Sequence, residues 1–420
     1  MMFMNWYLAV IVTALAGAWL LHLLADLLEL RALDSALPAQ GLDIYDQEQH
    51  RRSQDYTKAK LIFTQVRSTV MLLATLLFIL LGGFSLLDQQ VRSLGLASIS
   101  TGLLFIGSLA LLSAAAELPF SLHRTFVLEE RFGFNKTTAK TFVLDLLKSA
   151  LLAVLLGGPL LAAVLWFFET AGSAAWLWCW AAVTLFSLLM QFLAPALLMP
   201  LFNKFTPLED GELRQAVADY AQARNFAIQG IYVMDGSKRS AKLNAFFAGF
   251  GRFRRIVFFD TLISRLTVGE IVAVLAHEMG HWHHRHILKT TVALIVHTGL
   301  MFYFLSLVLA SPQLHAAFGV EQISVHAGLT FFAFLYSPVE LLLSVLFNMF
   351  SRRCEYQADA FAAASGWSKE LISSLKKLGA DNLANLTPHP FKVFIEHSHP
   401  PFLARIAALQ RLEQREQVSE

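Results

Sequence analysis

Seven stretches of the chain are apolar on every side, near residues 4–25, 68–88, 95–119, 143–168, 175–200, 287–310 and 327–350. Each is long enough to cross a bilayer, which takes about 20 residues of helix. Between the fifth and the sixth the pattern changes. Pro207-Leu208-Glu209-Asp210 is a helix-start signal, and Leu213, Val217, Tyr220 and Ala221 follow it at helical spacing. Gly230-Ile231-Tyr232-Val233-Met234 reads as a short strand stopped by Asp235-Gly236. Asn244-Ala245-Phe246-Phe247 and Ile256-Val257-Phe258-Phe259 flank Gly249-Phe250-Gly251, which predicts a β-hairpin. Thr267-Val268-Gly269-Glu270 fits a capping box that opens another helix. After 351 the pattern is helical, with a Pro- and His-rich break at 388–401. The predicted fold class is mainly α, a seven-transmembrane-helix bundle carrying a small α+β insert. Its parts are 1–202 with five spans, the insert at 203–286, spans six and seven at 287–350, and a helical tail at 351–420.

Composition strengthens the membrane reading. Of 420 residues, 56% are hydrophobic and 15% charged, against about 25% charged in an ordinary soluble domain. Lipid is therefore the solvent for much of the chain. A net charge of +2 gives no footing for a nucleic-acid partner. The two cysteines, Cys179 and Cys354, lack CxxC spacing, which argues against a cysteine zinc site or a disulfide framework. Cys179 sits between tryptophans and reads as a small buried hydrophobe. The first apolar stretch lacks a basic region before it and reads as an uncleaved span.

Lys and Arg give the orientation. Segments 26–67, 120–142, 201–286 and the tail after 350 are basic, whereas 89–94 holds only Arg92 and 169–174 and 311–326 hold none. The positive-inside rule then puts the N-terminus outside and the C-terminus in the cytosol, as an odd number of spans requires.

The candidate chemistry lies in His277-Glu278-Met279-Gly280-His281. Residues four apart share a helix face, so both imidazoles reach one Zn²⁺, with Glu278 beside the place of a metal-bound water. A catalytic zinc takes three protein ligands. A His six residues beyond His281, one known arrangement, is excluded because that position is Ile287. The best alternative is Glu355-Tyr356-Gln357-Ala358-Asp359, just after the last span on the same side. Glu355 can ligate zinc, and Asp359, one turn on, can hold a ligating imidazole by its free N–H. The bland reading of this segment is a solvated acidic helix start. Glu278 separates a hydrolase from a storage or transport site, because only hydrolysis needs a base beside the open position.

Other residues read more blandly. His283, His284 and His286 follow at offsets that cannot all face the metal, and an interfacial role is expected. His297 reads as a satisfied bundle histidine. The loop Glu396-His397-Ser398-His399-Pro400-Pro401 could offer an imidazole to an oxyanion, but its local sequence is that of a loop with two histidines. The Asn244–Phe247 strand is either an internal strand or an exposed edge that binds substrate as an added strand. Lys238, Arg239, Lys242, Arg252, Arg254 and Arg255 form a basic cluster that reads mainly as a topology signal. Glu117 and Glu340, at or inside spans, suggest that the bundle encloses water.

Across nearly its whole length the chain resembles the integral-membrane CaaX prenyl protease type 1 family, zinc metallopeptidases of the gluzincin kind. The resemblance rests on Glu129-Glu130-Arg131-Phe132-Gly133-Phe134-Asn135-Lys136-Thr137-Thr138 and on Pro200-Leu201-Phe202-Asn203-Lys204-Phe205-Thr206-Pro207-Leu208. It rests also on Asn244-Ala245-Phe246-Phe247 with Gly249-Phe250-Gly251, the His277–His281 pentapeptide, Glu355 to Asp359, and His399-Pro400 with Arg405. It implies a bundle enclosing a water-filled chamber, with a cytosolic gluzincin-like protease unit and one Zn²⁺ per chain held by His277, His281 and Glu355. It implies Glu278 as base, Asp359 as supporting acid, His399 as a transition-state group and Arg405 as a structural residue near Asp359. Asn244, with Ala245 and Phe246, becomes a substrate-backbone contact. The expected partners are the bilayer and a peptide or protein substrate, prenylated or not.

Lys242-Leu243-Asn244-Ala245-Phe246 stands where eukaryotic members tend to have His-Ser-Asn-Ala-Tyr. That departure leans toward a bacterial member in an inner membrane rather than the endoplasmic reticulum. Two other readings compete. One is a quality-control protease of the HtpX type acting on unprenylated membrane proteins, which the seven-span topology disfavours. The other is a zinc transporter or sensor, which would show ligands within spans and commonly inverted repeats.

Overall fold

A helix that is apolar all round needs a nonpolar solvent on every side it does not pack. The computed structural model describes residues 5–33, 36–226, 228–248 and 255–419. Its first five long helices are α1 (Trp6–Ala32), α2 (Gln47–Leu80), α3 (Ser98–Glu129), α4 (Ala139–Thr170) and α5 (Gly172–Phe202). Then come α6 (Glu212–Ala223), α7 (Val268–His283), α8 (His286–Val308) and α9 (Val325–Ala364). The chain closes with α10 (Ser368–Asp381), α11 (Pro390–Glu396) and α12 (Phe402–Ser419). Helices α1 to α5, α8 and α9 are long and apolar enough to span a membrane, and at most 17% of any one's apolar window is buried. Side chains such as Leu73, Leu111, Leu147, Leu185 and Leu307 point outward, where only lipid would cover them. The seven-helix expectation holds.

The helices outrun the apolar pattern. The seventh was expected to end near 350, with a separate tail after it. Instead α9 is one helix of 40 residues, about 60 Å long at 1.5 Å per residue and twice the roughly 30 Å of hydrocarbon it crosses. Hydropathy marks where lipid ends, not where the helix ends. Glu355 and Asp359 therefore ride on a rigid continuation of the span. In the same way α2 starts at Gln47, well before its apolar half.

The two ends of the bundle differ as the charge pattern suggests. At one end the basic segments meet. Arg52 Nη2 donates to Phe132 O at 2.8 Å, Lys242 Nζ pairs with Glu129 Oε2 at 2.8 Å, and Arg239 Nε with Asp145 Oδ2 at 2.7 Å. At the other end Asn5 Nδ2 donates to Gln313 O at 2.6 Å and Ser98 Oγ to Glu169 Oε1 at 2.6 Å. There too the buried pair His326 Nε2 and Asp88 Oδ1 stands at 3.0 Å. Arg239 and Lys242 are thus also struts between the insert and the spans, a role the charge pattern alone does not reveal.

The insert folds as a four-stranded mixed sheet, β1 (Phe205–Pro207), β2 (Gly230–Met234), β3 (Ala245–Ala248) and β4 (Arg255–Phe259), in the order β1-β2-β4-β3. β2 and β4 are parallel, and β3 pairs antiparallel with β4, Phe246 opposite Val257. The expected hairpin is present as β3 and β4; Gly249-Phe250-Gly251, Arg252 and Arg254 lie outside the described residues. Placement at the end of the order makes β3 an edge strand. Ile231, Ile256 and Phe258 of the sheet share one core with Ile271, Val272, Leu275 and Met279 of α7 and with Leu371, Leu375 and Leu409 of α10 and α12. Burial of those side chains, each contributing about 1.5–3 kcal/mol, fixes the insert against the tail.

Candidate active site

Helix α7 is started by the expected capping box. Thr267 Oγ1 accepts from Glu270 N at 3.3 Å, and Thr267 N donates to Glu270 Oε2 at 2.8 Å. Such a cap contributes about 1 kcal/mol. The Glu270 carboxylate also accepts from Ser373 Oγ at 2.6 Å and Lys377 Nζ at 2.7 Å, which ties α7 to α10. Burial alone would raise its pKa, but the bonds from Lys377, Ser373 and the Thr267 N–H outweigh it and hold the carboxyl below its ordinary range.

Gly280 lets α7 cross α9 closely. A Cβ there would lie 2.8 Å from Ala358 Cα and 3.0 Å from Ala358 O, so an alanine fits only if the helices move apart. Ala358 lies between Glu355 and Asp359 in sequence, so this crossing sets the distance between the pentapeptide and both carboxylates.

At that crossing His277, His281 and Glu355 present ligand atoms all within 4.8 Å of one another. His281 Nε2 lies 3.4 Å from Glu355 Oε1 and 3.3 Å from His277 Nε2, and His277 Nε2 lies 3.6 Å from Glu355 Oε2. Behind them, His277 Nδ1 meets Asp359 Oδ1 at 2.8 Å. Arg405 Nε and Nη2 donate to Asp359 Oδ2 and Oδ1 at 2.8 and 2.6 Å, and Arg405 Nη1 stands 3.3 Å from Glu355 Oε2. Opposing effects act on this arginine. Burial works against its charge, while the hydrogen bonds it donates to Asp359 and the charge of the nearby carboxylates overcome it and raise its pKa. Glu278 is half-buried on α7. Burial pushes its carboxyl up, while the neighbouring His277 and His281 pull it down and Glu355 adds to the rise.

The donor set fits a zinc ion. Two imidazole nitrogens and one carboxylate, converging from a helix and its neighbour, are the nitrogen and oxygen ligands zinc takes. Glu355 Oε2 is fully buried and accepts no hydrogen bond, although Arg405 Nη1 stands 3.3 Å away, so a lone pair is left for a metal ion.

The remaining expected residues are placed as follows. His399 is largely exposed, and its Nε2 lies 3.4 Å from Glu355 Oε1, so the tail loop does reach the cluster. Asn244 is exposed at the start of β3, where its carbonyl accepts from Phe259 N at 3.2 Å. Ala245 and Phe246 follow on the same edge strand. A cavity of about 840 Å³ opens from His281 and His286 between α5, α8 and α9, past Gln191, Thr291, Leu294 and Phe347. A second, about 540 Å³ and more polar, is lined by His399 and Pro400 with Asp26, Lys60 and Lys392. Glu117 is paired to Arg67 by two hydrogen bonds, Nε to Oε2 at 2.8 Å and Nη2 to Oε1 at 2.5 Å.

Sequence reasoning missed three residues. Gly280 was given no role, although a glycine inside a helix is itself a signal of close packing. Gln357 was passed over between two carboxylates. His286 was expected to be an interfacial residue; it is buried and touches His281. His297 is satisfied as expected, with Nε2 3.2 Å from Tyr336 Oη.

Residues 27–204 match the family described as CAAX prenyl protease N-terminal, five membrane helices, and residues 207–413 match peptidase family M48. A CAAX prenyl protease 1 homolog of Arabidopsis thaliana is 37% identical, over 91% of this chain and 93% of its own. The CAAX prenyl protease 1 of Saccharomyces cerevisiae is 34% identical, over 90% and 89%. The crystal structure of Ste24p from S. mikatae superposes with a TM-score of 0.92 at 32% identity, covering 96% of this chain and 99% of that one. These relatives are eukaryotic and give no support to the bacterial source expected from Lys242 to Phe246. With a His-Glu-x-x-His helix, a carboxylate as the third candidate ligand and matches over nearly its full length, the chain belongs to peptidase family M48, as a membrane zinc metalloprotease of the CAAX prenyl protease 1 family.

Proposed function

We propose that this metalloprotease cuts near the C-terminus of prenylated CaaX proteins at the cytosolic boundary of its membrane. The single observation that carries the mechanism is the convergence of His277, His281 and Glu355, with Glu278 beside them on α7. One zinc held there would activate water and polarise the scissile carbonyl as a Lewis acid. Glu278 takes the proton of the attacking water and returns it to the leaving amine. Asp359 fixes the ring of His277, and Arg405 fixes Asp359. His399 is near enough to the ligands to donate to the oxyanion as it forms. Among the described residues β3 has a strand on one side only, which supports binding of an extended peptide by its main chain, with Asn244, Ala245 and Phe246 along it.

Two observations support the substrate class and the side. The names of the relatives are CaaX proteases. The cavity beside His281 is mostly apolar along α5 and α8, as an isoprenoid would need. The metal cluster lies at the end where the basic segments gather, which supports a cytosolic C-terminus and an external N-terminus.

The test is a pair of peptides ending in the same CaaX sequence, one farnesylated and one not, cleaved by the purified chain in detergent. The farnesylated peptide is expected to have at least a roughly tenfold higher kcat/KM, since a buried isoprenoid contributes about 0.8 kcal/mol per carbon. Equal values would instead favour a quality-control protease of unprenylated membrane proteins.

A further inference from the structure

We propose that His286 and Gln357 set the tautomer of His281 and hold its ring to the metal, so that His286 is a positioning residue for the zinc site. This rests on the metal reading above. His281 turns Nε2 into the ligand cluster, 3.4 Å from Glu355 Oε1. Its other nitrogen, Nδ1, lies 3.0 Å from His286 Nδ1. His286 Nε2 lies in turn 2.9 Å from Gln357 Oε1.

The direction of this chain follows from what each atom can do. An amide oxygen only accepts, so His286 Nε2 carries the hydrogen. A neutral imidazole protonated at Nε2 has its lone pair at Nδ1, so His286 accepts there. His281 Nδ1 must then donate, which leaves His281 Nε2 bare, the state a metal ligand needs. One carboxamide thus fixes two rings in series.

The backbone is built to bring His286 there. In an unbroken helix, residues five apart point about 140° away from each other. Here α7 ends at His283, and Arg285 takes a left-handed conformation with φ of 55° before α8 begins. That is a costly conformation for a residue with a Cβ. The turn it makes returns His286 to His281, and His286 is only 4% exposed. Thr290 Oγ1 donates to the His286 carbonyl at 3.0 Å and fixes the first turn of α8. Helix α9 therefore serves both histidines: Asp359 accepts from His277 directly, and Gln357 supports His281 through His286.

The experiment measures the zinc dissociation constant of the metal-free full chain by competition with a chelator, together with the visible spectrum of the Co²⁺ form. His286→Ala and Gln357→Leu are expected to weaken zinc by roughly ten- to hundredfold and to shift the Co²⁺ bands, with the melting temperature of the metal-free protein unchanged. Gln357→Glu keeps an acceptor at that place and is expected to bind zinc as wild type does. A Gln357→Leu protein that binds zinc within twofold of wild type overturns the proposal. So does a Gln357→Glu protein as weak as Gln357→Leu. The Gln357 pair decides even if His286→Ala fails to fold. Glu355→Ala is the control: if it too binds zinc normally, the metal reading itself has failed.

Discussion

Glu278→Gln is expected to leave the purified protein folded and fully loaded with zinc while kcat falls about 10²–10⁴-fold, the range for loss of a positioned general base. The amide has nearly the shape of the carboxylate, so the crossing of α7 with α9 is undisturbed. The three candidate ligands His277, His281 and Glu355 are untouched. What disappears is the group that accepts the proton of the attacking water. KM should change little, because Glu278 makes no uniform contribution to substrate binding. Side-by-side metal analysis and peptide turnover check both halves. Retained turnover would remove Glu278 from the chemistry, and lost zinc would make it a structural residue.

Arg405→Leu is expected to be the most destabilising single change at the site, by about 3–5 kcal/mol. Arg405 is buried and closes two hydrogen bonds with Asp359, and it stands against Glu355 as well. Its removal leaves two carboxylates buried without their fixed positive neighbour. Replacing the whole charged group would be a different experiment; removing one partner leaves the cost of the others. Arg405→Lys keeps the charge but not the fork, so an intermediate loss is expected. Thermal unfolding in detergent, with metal removed from all three proteins, gives the comparison. A melting temperature of Arg405→Leu equal to wild type would show that the pair carries no stability.

Much of this was legible in the chain because lipid simplifies sequence. Seven stretches without a polar face can do little else than span, and three of the four strands were legible as short β-rich runs between turn residues, whereas β1 and the parallel pairing of β2 with β4 were not. The His-Glu-x-x-His spacing was readable for a local reason, since both rings belong to one helix. The rest depended on contacts that no spacing encodes. The sheet order places β3 at an edge, and only the pairing of β2 with β4 decides that. His286 looked like one more histidine beside the membrane. A single left-handed residue, Arg285, turns it back onto His281. Lys242 looked like part of a topology signal, but it reaches Glu129 Oε2 and the Tyr56 hydroxyl at 2.8 and 2.7 Å. The continuity of α9 through residue 350 was hidden because hydropathy falls at the membrane boundary while the hydrogen-bonded helix continues.

The most direct test of the metal centre is anomalous diffraction at the zinc edge from crystals of the purified wild-type chain. The expected map has one peak, within bonding distance of His277 Nε2, His281 Nε2 and the Glu355 carboxylate. No peak at that place, or a stronger one elsewhere in the chain, would contradict the assignment.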